Sequence, residues 1–199
     1  MINKRGRFFC IEGLDASGKT THARQLVRDL RKKGFDAIYT TEPSPDKIGE
    51  FTRAYVLQRK RRVPIAVEAL LFAADRVNHV ETWIKPALQK GRIVICDRYV
   101  YSSLAYQGAA GLDLEWIKEV NRNAITPDLA IYLAIPPEAV VERITWRKSV
   151  MEKLQIQRRV QEIYKRLLED GLLVQVEGDR PKDEVSKDIL AVALDSLKS

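Results

Sequence analysis

The stretch Gly13-Leu14-Asp15-Ala16-Ser17-Gly18-Lys19-Thr20, followed by Thr21, constrains this chain more than any other. Its spacing is G-x-x-x-x-G-K-[ST], that of a phosphate-binding loop. Glycines at that interval let the backbone curl so that successive N–H groups point inward at phosphate oxygens. Lys19 adds a point charge near the β and γ phosphates, and the Thr20 hydroxyl can ligate Mg²⁺. The helix that starts here turns its positive end toward the same anion. The flanks suit the motif. Arg7 to Glu12 is an apolar run that predicts a buried strand, and Ala23, Leu26, Val27 and Leu30 recur at helical spacing before Gly34.

Further along, apolar strand-like runs alternate with helical patterns. Strands are predicted at Ala37 to Thr41, Ile93 to Cys96, Leu129 to Ile135 and Leu172 to Val176. Helices are predicted from Ile48 to Leu57, from Pro64 through Ile84, from Leu114 to Ala124, from Pro137 to Thr145, through Val160 to Leu168, and from Pro181 to about Leu197. The alternation predicts a three-layer α/β domain with a five-stranded parallel sheet. In such a sheet ligands sit outside the carboxyl ends of the strands. The 199 residues are expected to form one domain, with a short lid segment at about 143–153.

The net charge is +7, with dense clusters at Arg59 to Arg62 and Arg31 to Lys33. Neither cluster sits in a nucleic-acid motif, so no nucleic-acid partner is expected, and the charge suits small polyanions such as nucleotides. No apolar run approaches the length of a membrane span, and the segment before the first strand has no signal-peptide pattern, so a cytoplasmic enzyme is expected. Cys10 and Cys96 lack metal-ligand spacing and are expected to be buried thiols.

Asp97-Arg98-Tyr99 closes the third strand. A carboxylate after four apolar strand residues can hold Mg²⁺ or its water beside Thr20, and Arg98 can clamp a phosphate. Phe72 and Arg76 are four residues apart and share a helix face. A ring there can stack on a base while the guanidinium donates to a base carbonyl.

With Ser102, Ala105, Tyr106 and Gln107 after it, Asp97-Arg98-Tyr99 resembles the signature of thymidylate kinases. So do Phe72-Ala73-Ala74-Asp75-Arg76 with His79, Pro127 to Leu133, and the Glu12-Gly13-Leu14-Asp15 entry to the loop, in the expected order. The resemblance implies phosphoryl transfer from ATP to dTMP, with Mg²⁺, in a homodimer. It implies that Phe72 stacks on thymine and Arg76 bonds its O4, with Ser103 and Gln107 near the base and Tyr106 against the deoxyribose. Asp15 would approach the acceptor's 3′-hydroxyl, Arg98 would clamp its phosphate, Arg53 matches a family arginine, and Pro43 would line the pocket for the methyl. A related kinase for another nucleotide or a deoxynucleoside, and a nucleotide-binding switch, are the alternatives; an N-K-x-D guanine-reading motif is absent from the sequence.

The chain departs from the family pattern in places. Ala16 stands where some members carry a catalytic arginine, so the charge is expected from the lid, from Arg147 first and Lys148 second. Arg143 is expected to face the adenine. Asp179 to Lys182, with Arg180, lies where the family's adenine loop falls. Thr41 replaces an expected arginine near the acceptor phosphate, and Ala134 replaces a frequently acidic residue.

Overall fold

The computed structural model describes residues 6–58, 62–143 and 154–198. Five strands, β1 (Arg7–Gly13), β2 (Ala37–Thr41), β3 (Ile93–Asp97), β4 (Leu129–Ala134) and β5 (Val174–Glu177), form one sheet in the order β2-β3-β1-β4-β5. Every pairing is parallel, with Arg7 opposite Ile93, Phe9 opposite Leu129 and Ala37 opposite Ile93. The three-layer α/β prediction holds.

Successive strand residues face opposite layers, and here both layers are covered. Phe8, Cys10, Val94, Cys96, Ala130 and Tyr132 pack on one side against α4 (Lys85–Gln89), α5 (Val100–Ala109) and α8 (Leu154–Glu169). Phe9, Ile11, Ile93, Ile95, Ile131 and Leu133 pack on the other against α1 (Lys19–Lys32) and α9 (Lys182–Ser196). That two-sided burial is why the strands read as unbroken apolar runs. Cys10 and Cys96 lie opposite one another in the β1–β3 register, both buried and both free.

The remaining helices are α2 (Lys47–Thr52), α3 (Ile65–His79), α6 (Leu114–Val120) and α7 (Pro137–Arg143). Several boundaries differ from expectation. The segment Ile48 to Leu57 is α-helical only to Thr52 and then widens into a π turn over Arg53–Leu57. The long stretch after Pro64 runs through α3 into a second π turn, Val80–Ile84. Pro86 follows at the head of α4, where its missing N–H is tolerated. Helix α6 stops at Val120 rather than Ala124, because Asn121 leaves helical geometry and its side-chain amide folds back on the Ile117 carbonyl. Strand β5 starts two residues later than its apolar run, since Leu172 still bonds back to Leu167 in the turn closing α8. Helix α5 has no counterpart among the predicted elements. No helix among the described residues is long and apolar enough to cross a membrane.

β1 is the central strand, and the chain leaves it for β2 beyond β3 and returns to β4 on its other side. The crevice at the carboxyl ends of β1 and β3 is where such sheets bind ligands. Gly13 to Thr20, Glu42 and Asp97 to Tyr99 all lie at or just after carboxyl ends of strands.

Candidate active site

The loop after β1 has the backbone its glycines predict. Gly13 has φ 147°, and a Cβ there would lie 2.9 Å from both the Leu133 carbonyl oxygen and Ser17 Oγ. Gly18 caps α1 with φ 93°, and Ala16 takes a left-handed φ of 53°. The amide of Ser17 bonds back to the Leu14 carbonyl at 3.2 Å, which closes the curl. Lys19 Nζ reaches back across the loop to the Leu14 carbonyl at 2.5 Å and to Ser17 Oγ at 3.3 Å. Burial, followed by the nearby Arg98 charge, lowers the Lys19 pKa to about 7. The loop thus holds a buried cation-forming group where an anion would sit.

Asp97 ends β3 beside α1. Thr20 Oγ1 donates to Asp97 Oδ2, and Tyr39 OH donates to the same oxygen at 3.3 Å. A hydroxyl and a carboxylate are hard oxygen donors, so this pair has the chemistry that suits Mg²⁺.

Arg98 sits in the left-handed region, φ 70°, which costs a residue with a Cβ roughly 1–2 kcal/mol. The surroundings fix it there. Buried Glu12 accepts the Tyr99 amide at 2.8 Å, the Ser102 amide at 3.3 Å, Ser102 Oγ at 2.6 Å and Tyr164 OH at 3.0 Å. This carboxylate ties β1 to the start of α5 and to α8, and burial raises its pKa against those hydrogen bonds. Arg98 then reaches Asp15 Oδ1 at 2.5 Å and Ser102 Oγ at 3.3 Å, and its guanidinium lies 5.2 Å from the Tyr106 ring centre. Burial pushes the Asp15 pKa up, but Arg98 and Lys19 outweigh it and hold the carboxylate ionised, with Gln157 of α8 also hydrogen-bonded to it. Asp15, Lys19, Arg98 and Tyr106 therefore meet at one point.

Beside this point lies a second cluster. Arg76 is buried, with Nε on Glu42 Oε2 at 2.8 Å, Nη1 on Asn121 Oδ1 and Nη2 on Ser103 Oγ at 3.2 Å. One N–H on each Nη is left to donate elsewhere. Phe72, one turn earlier on α3, is half-buried. Gln107, one turn beyond Ser103 on α5, donates to Glu68 Oε1 at 2.8 Å. Pro43, joined to Glu42 by a cis peptide bond, offers its carbonyl to Arg53 Nη2 at 2.5 Å. Arg53 is thereby turned to the same loop. Glu42, His79 and Cys96 bring one ligand atom each within 4.8 Å, but Glu42 is paired with Arg76. His79 is engaged through both ring nitrogens, by Thr40 Oγ1 at 2.7 Å and Glu42 Oε1 at 3.3 Å. We read this cluster as a hydrogen-bond network rather than a metal centre.

On the opposite flank, Arg143 at the end of α7 bonds Asp179 Oδ1 at 2.8 Å, which joins α7 to the loop after β5. Arg180 bonds Asp188 and the Glu177 carbonyl. Arg147 and Lys148 lie outside the described residues.

The sequence pattern missed Tyr39, Glu42, Asn121, Gln157 and Tyr164. Glu42 and Tyr39 flank the strand-end residues it weighed, whereas Asn121, just past the end of α6, and Gln157 and Tyr164 on α8 carry no local chemical signal.

The thymidylate kinase family model matches residues 11–189. A probable thymidylate kinase of Pyrococcus abyssi is 42% identical over 97% of this chain and 98% of its own length. One from Staphylothermus marinus is 40% identical over 99% of both chains, and a thymidylate kinase of Halothermothrix orenii is 37% identical over 93% of this chain and 95% of its own. With the phosphate loop, the Asp97-Arg98-Tyr99 turn and the Phe72 to Arg76 helix face all opening on one crevice, the chain belongs to the thymidylate kinase family.

Proposed function

We propose that the protein transfers the γ-phosphoryl group of ATP to the phosphate of dTMP, giving dTDP. The observation that carries this reading is that neighbouring residues of α5 link the two clusters: Ser102 holds Arg98, which is paired with Asp15 of the phosphate loop, and Ser103 holds Arg76. A donor phosphate on the loop and an acceptor base on Arg76 would bring their phosphates together beside Arg98.

The acceptor oxygen is already anionic, so the transfer needs positioning and charge neutralisation more than a strong base. The backbone N–H groups from Gly13 to Thr21 and the start of α1 receive the donor phosphates, and Lys19 protonates to meet them. Thr20 and Asp97 would hold Mg²⁺, which when bound there neutralises phosphate charge. Arg98 holds the acceptor phosphate, and Arg53 supports the Pro43 loop on the same side. Asp15 and Tyr106 meet the acceptor sugar. Because Ala16 carries no charge, Arg147, or Lys148 after it, supplies the further cation; such an arginine is worth about 10³ to 10⁵ in rate. Arg143 and Arg180 border the adenine side.

We further propose a homodimer. Ile48, Phe51, Leu57, Val67 and Leu70 are exposed apolar residues on α2, its π turn and α3, with Phe51 55% and Leu57 57% exposed. A second copy covering that face accounts for it. Light scattering should give twice the chain mass for the wild type and the single chain mass for Phe51→Glu.

The activity is tested by ADP release with ATP and Mg²⁺, offering dTMP, dUMP, dCMP, dGMP, AMP and thymidine separately. Strong turnover with dTMP and weak turnover with dUMP is expected, since one methyl is worth only about 1–3 kcal/mol. Preference for thymidine or another monophosphate would overturn the reading of the base pocket.

A further inference from the structure

We infer that Asn121 is a positioning residue that fixes the guanidinium of Arg76, and through it the choice between a pyrimidine with oxygen and one with an amino group at the 4-position. The inference rests on the reading of this pocket as the site for dTMP.

Asn121 follows α6, well away in sequence from the motif residues, and is buried. Its amide has one orientation. Nδ2 donates to the Ile117 carbonyl at 2.8 Å, one turn back, so Oδ1 must face the other way, and there it accepts Arg76 Nη1. Glu42 takes Nε at 2.8 Å and Ser103 takes Nη2 at 3.2 Å. The three acceptors come from the loop after β2, from α5 and from the end of α6. Each guanidinium nitrogen is therefore pinned by a different element, and the Arg76 Cζ atom lies 5.3 Å from the centre of the Tyr99 ring. Glu42 supplies the countercharge but holds only the inner edge of the group. Asn121 holds Nη1, the corner that would swing if Glu42 and Ser103 acted alone.

Rigidity here has a chemical consequence. A guanidinium offers only donors. Facing a 4-oxo group it makes a hydrogen bond. Facing a 4-amino group it sets donor against donor in a buried pocket, and both lose water without a partner. That penalty is full only if Arg76 cannot turn aside. A freed Arg76 would bind the 4-oxo base less well and tolerate the 4-amino base better. The 5-methyl group is sensed elsewhere, so discrimination between dTMP and dUMP should stand.

The test is steady-state kinetics with dTMP, dUMP and dCMP on wild type, Asn121→Leu and Asn121→Asp. In Asn121→Leu the KM for dTMP should rise about tenfold and the dTMP-to-dCMP ratio of kcat/KM should fall at least about tenfold. Its kcat and its dTMP-to-dUMP ratio should stay within about threefold of wild type. Asn121→Asp loses the bond to Ile117 but keeps an oxygen for Arg76, so it should restore the dTMP-to-dCMP ratio. If Asn121 only caps α6, both variants lose stability, both keep the wild-type dTMP-to-dCMP ratio, and the inference is overturned. A parallel fall in the dUMP and dCMP ratios would also overturn it, as general loosening of the pocket. Should Asn121→Leu fail to fold by circular dichroism, Asn121→Ser removes the reach to Arg76 with little apolar bulk and carries the same expectations. A wild type that ignores dTMP would instead refute the functional reading beneath the inference.

Discussion

Nucleotide binding should draw a proton from solvent, and Lys19 is the reason. In the free protein burial, reinforced by Arg98, lowers its pKa from 10.5 to about 7. A bound phosphate reverses both causes, because it gives the ammonium a partner and offsets the Arg98 field. Above pH 7 the free lysine is mostly neutral while the bound one is charged, so binding takes up a proton. At pH 8 the uptake should be roughly 0.9 proton per nucleotide, and affinity should fall about 50-fold between pH 7 and pH 9. The assay is calorimetric titration of ADP at pH 8 in two buffers of different ionisation heat, whose difference reports protons exchanged. Lys19→Met should abolish the uptake. Zero uptake in the wild type, or the same uptake in Lys19→Met, would refute the reasoning. The sign for stability follows from the same shift. Between about pH 7 and 10.5 the unfolded chain binds more protons at this residue than the folded one, so the free protein gains stability as pH rises through that window.

Three other outcomes are expected. Glu12→Ala strands the Tyr99 amide and removes the acceptor that the Ser102 and Tyr164 hydroxyls share, and urea denaturation should show a loss of about 2–4 kcal/mol, with Arg98 released and turnover reduced. Gly49→Ala would put a Cβ 2.1 Å from the Ser44 carbonyl oxygen, where Ser44 is also held by Asp75, so a thermal melt should report a loss of about 2–3 kcal/mol and a raised KM for dTMP. Asp97→Asn keeps an oxygen for Thr20 but removes the charge. A titration of rate against Mg²⁺ should need about tenfold more ion to reach half-maximal turnover, and an unchanged curve would exclude Asp97 from the metal site.

Much of this protein was legible locally. The phosphate loop declares itself because its requirements are backbone requirements, and Gly13 and Gly18 take the φ values that favour glycine. The strands are legible because a sheet covered on both faces demands apolar residues at every position, as at Ile93 to Cys96. Helix α5 was not, because Tyr101, Ser103, Leu104, Ala105, Tyr106 and Gln107 are all buried and leave no polar stripe to set a period. The end of α6 was not, because the stop comes from one amide folding back on its own helix.

The amino-acid sequence by itself determined the layered α/β architecture, the loop that receives phosphate and the residues that face it, since each depends on neighbours a few positions away. Tertiary structure decided what those residues are held by. Glu12 meets Tyr164 across 152 positions, Arg98 meets Asp15 across 83 and Arg76 meets Asn121 across 45. Such partners are chosen by which elements the sheet order brings to one edge, and no local pattern of charge or hydropathy encodes that order.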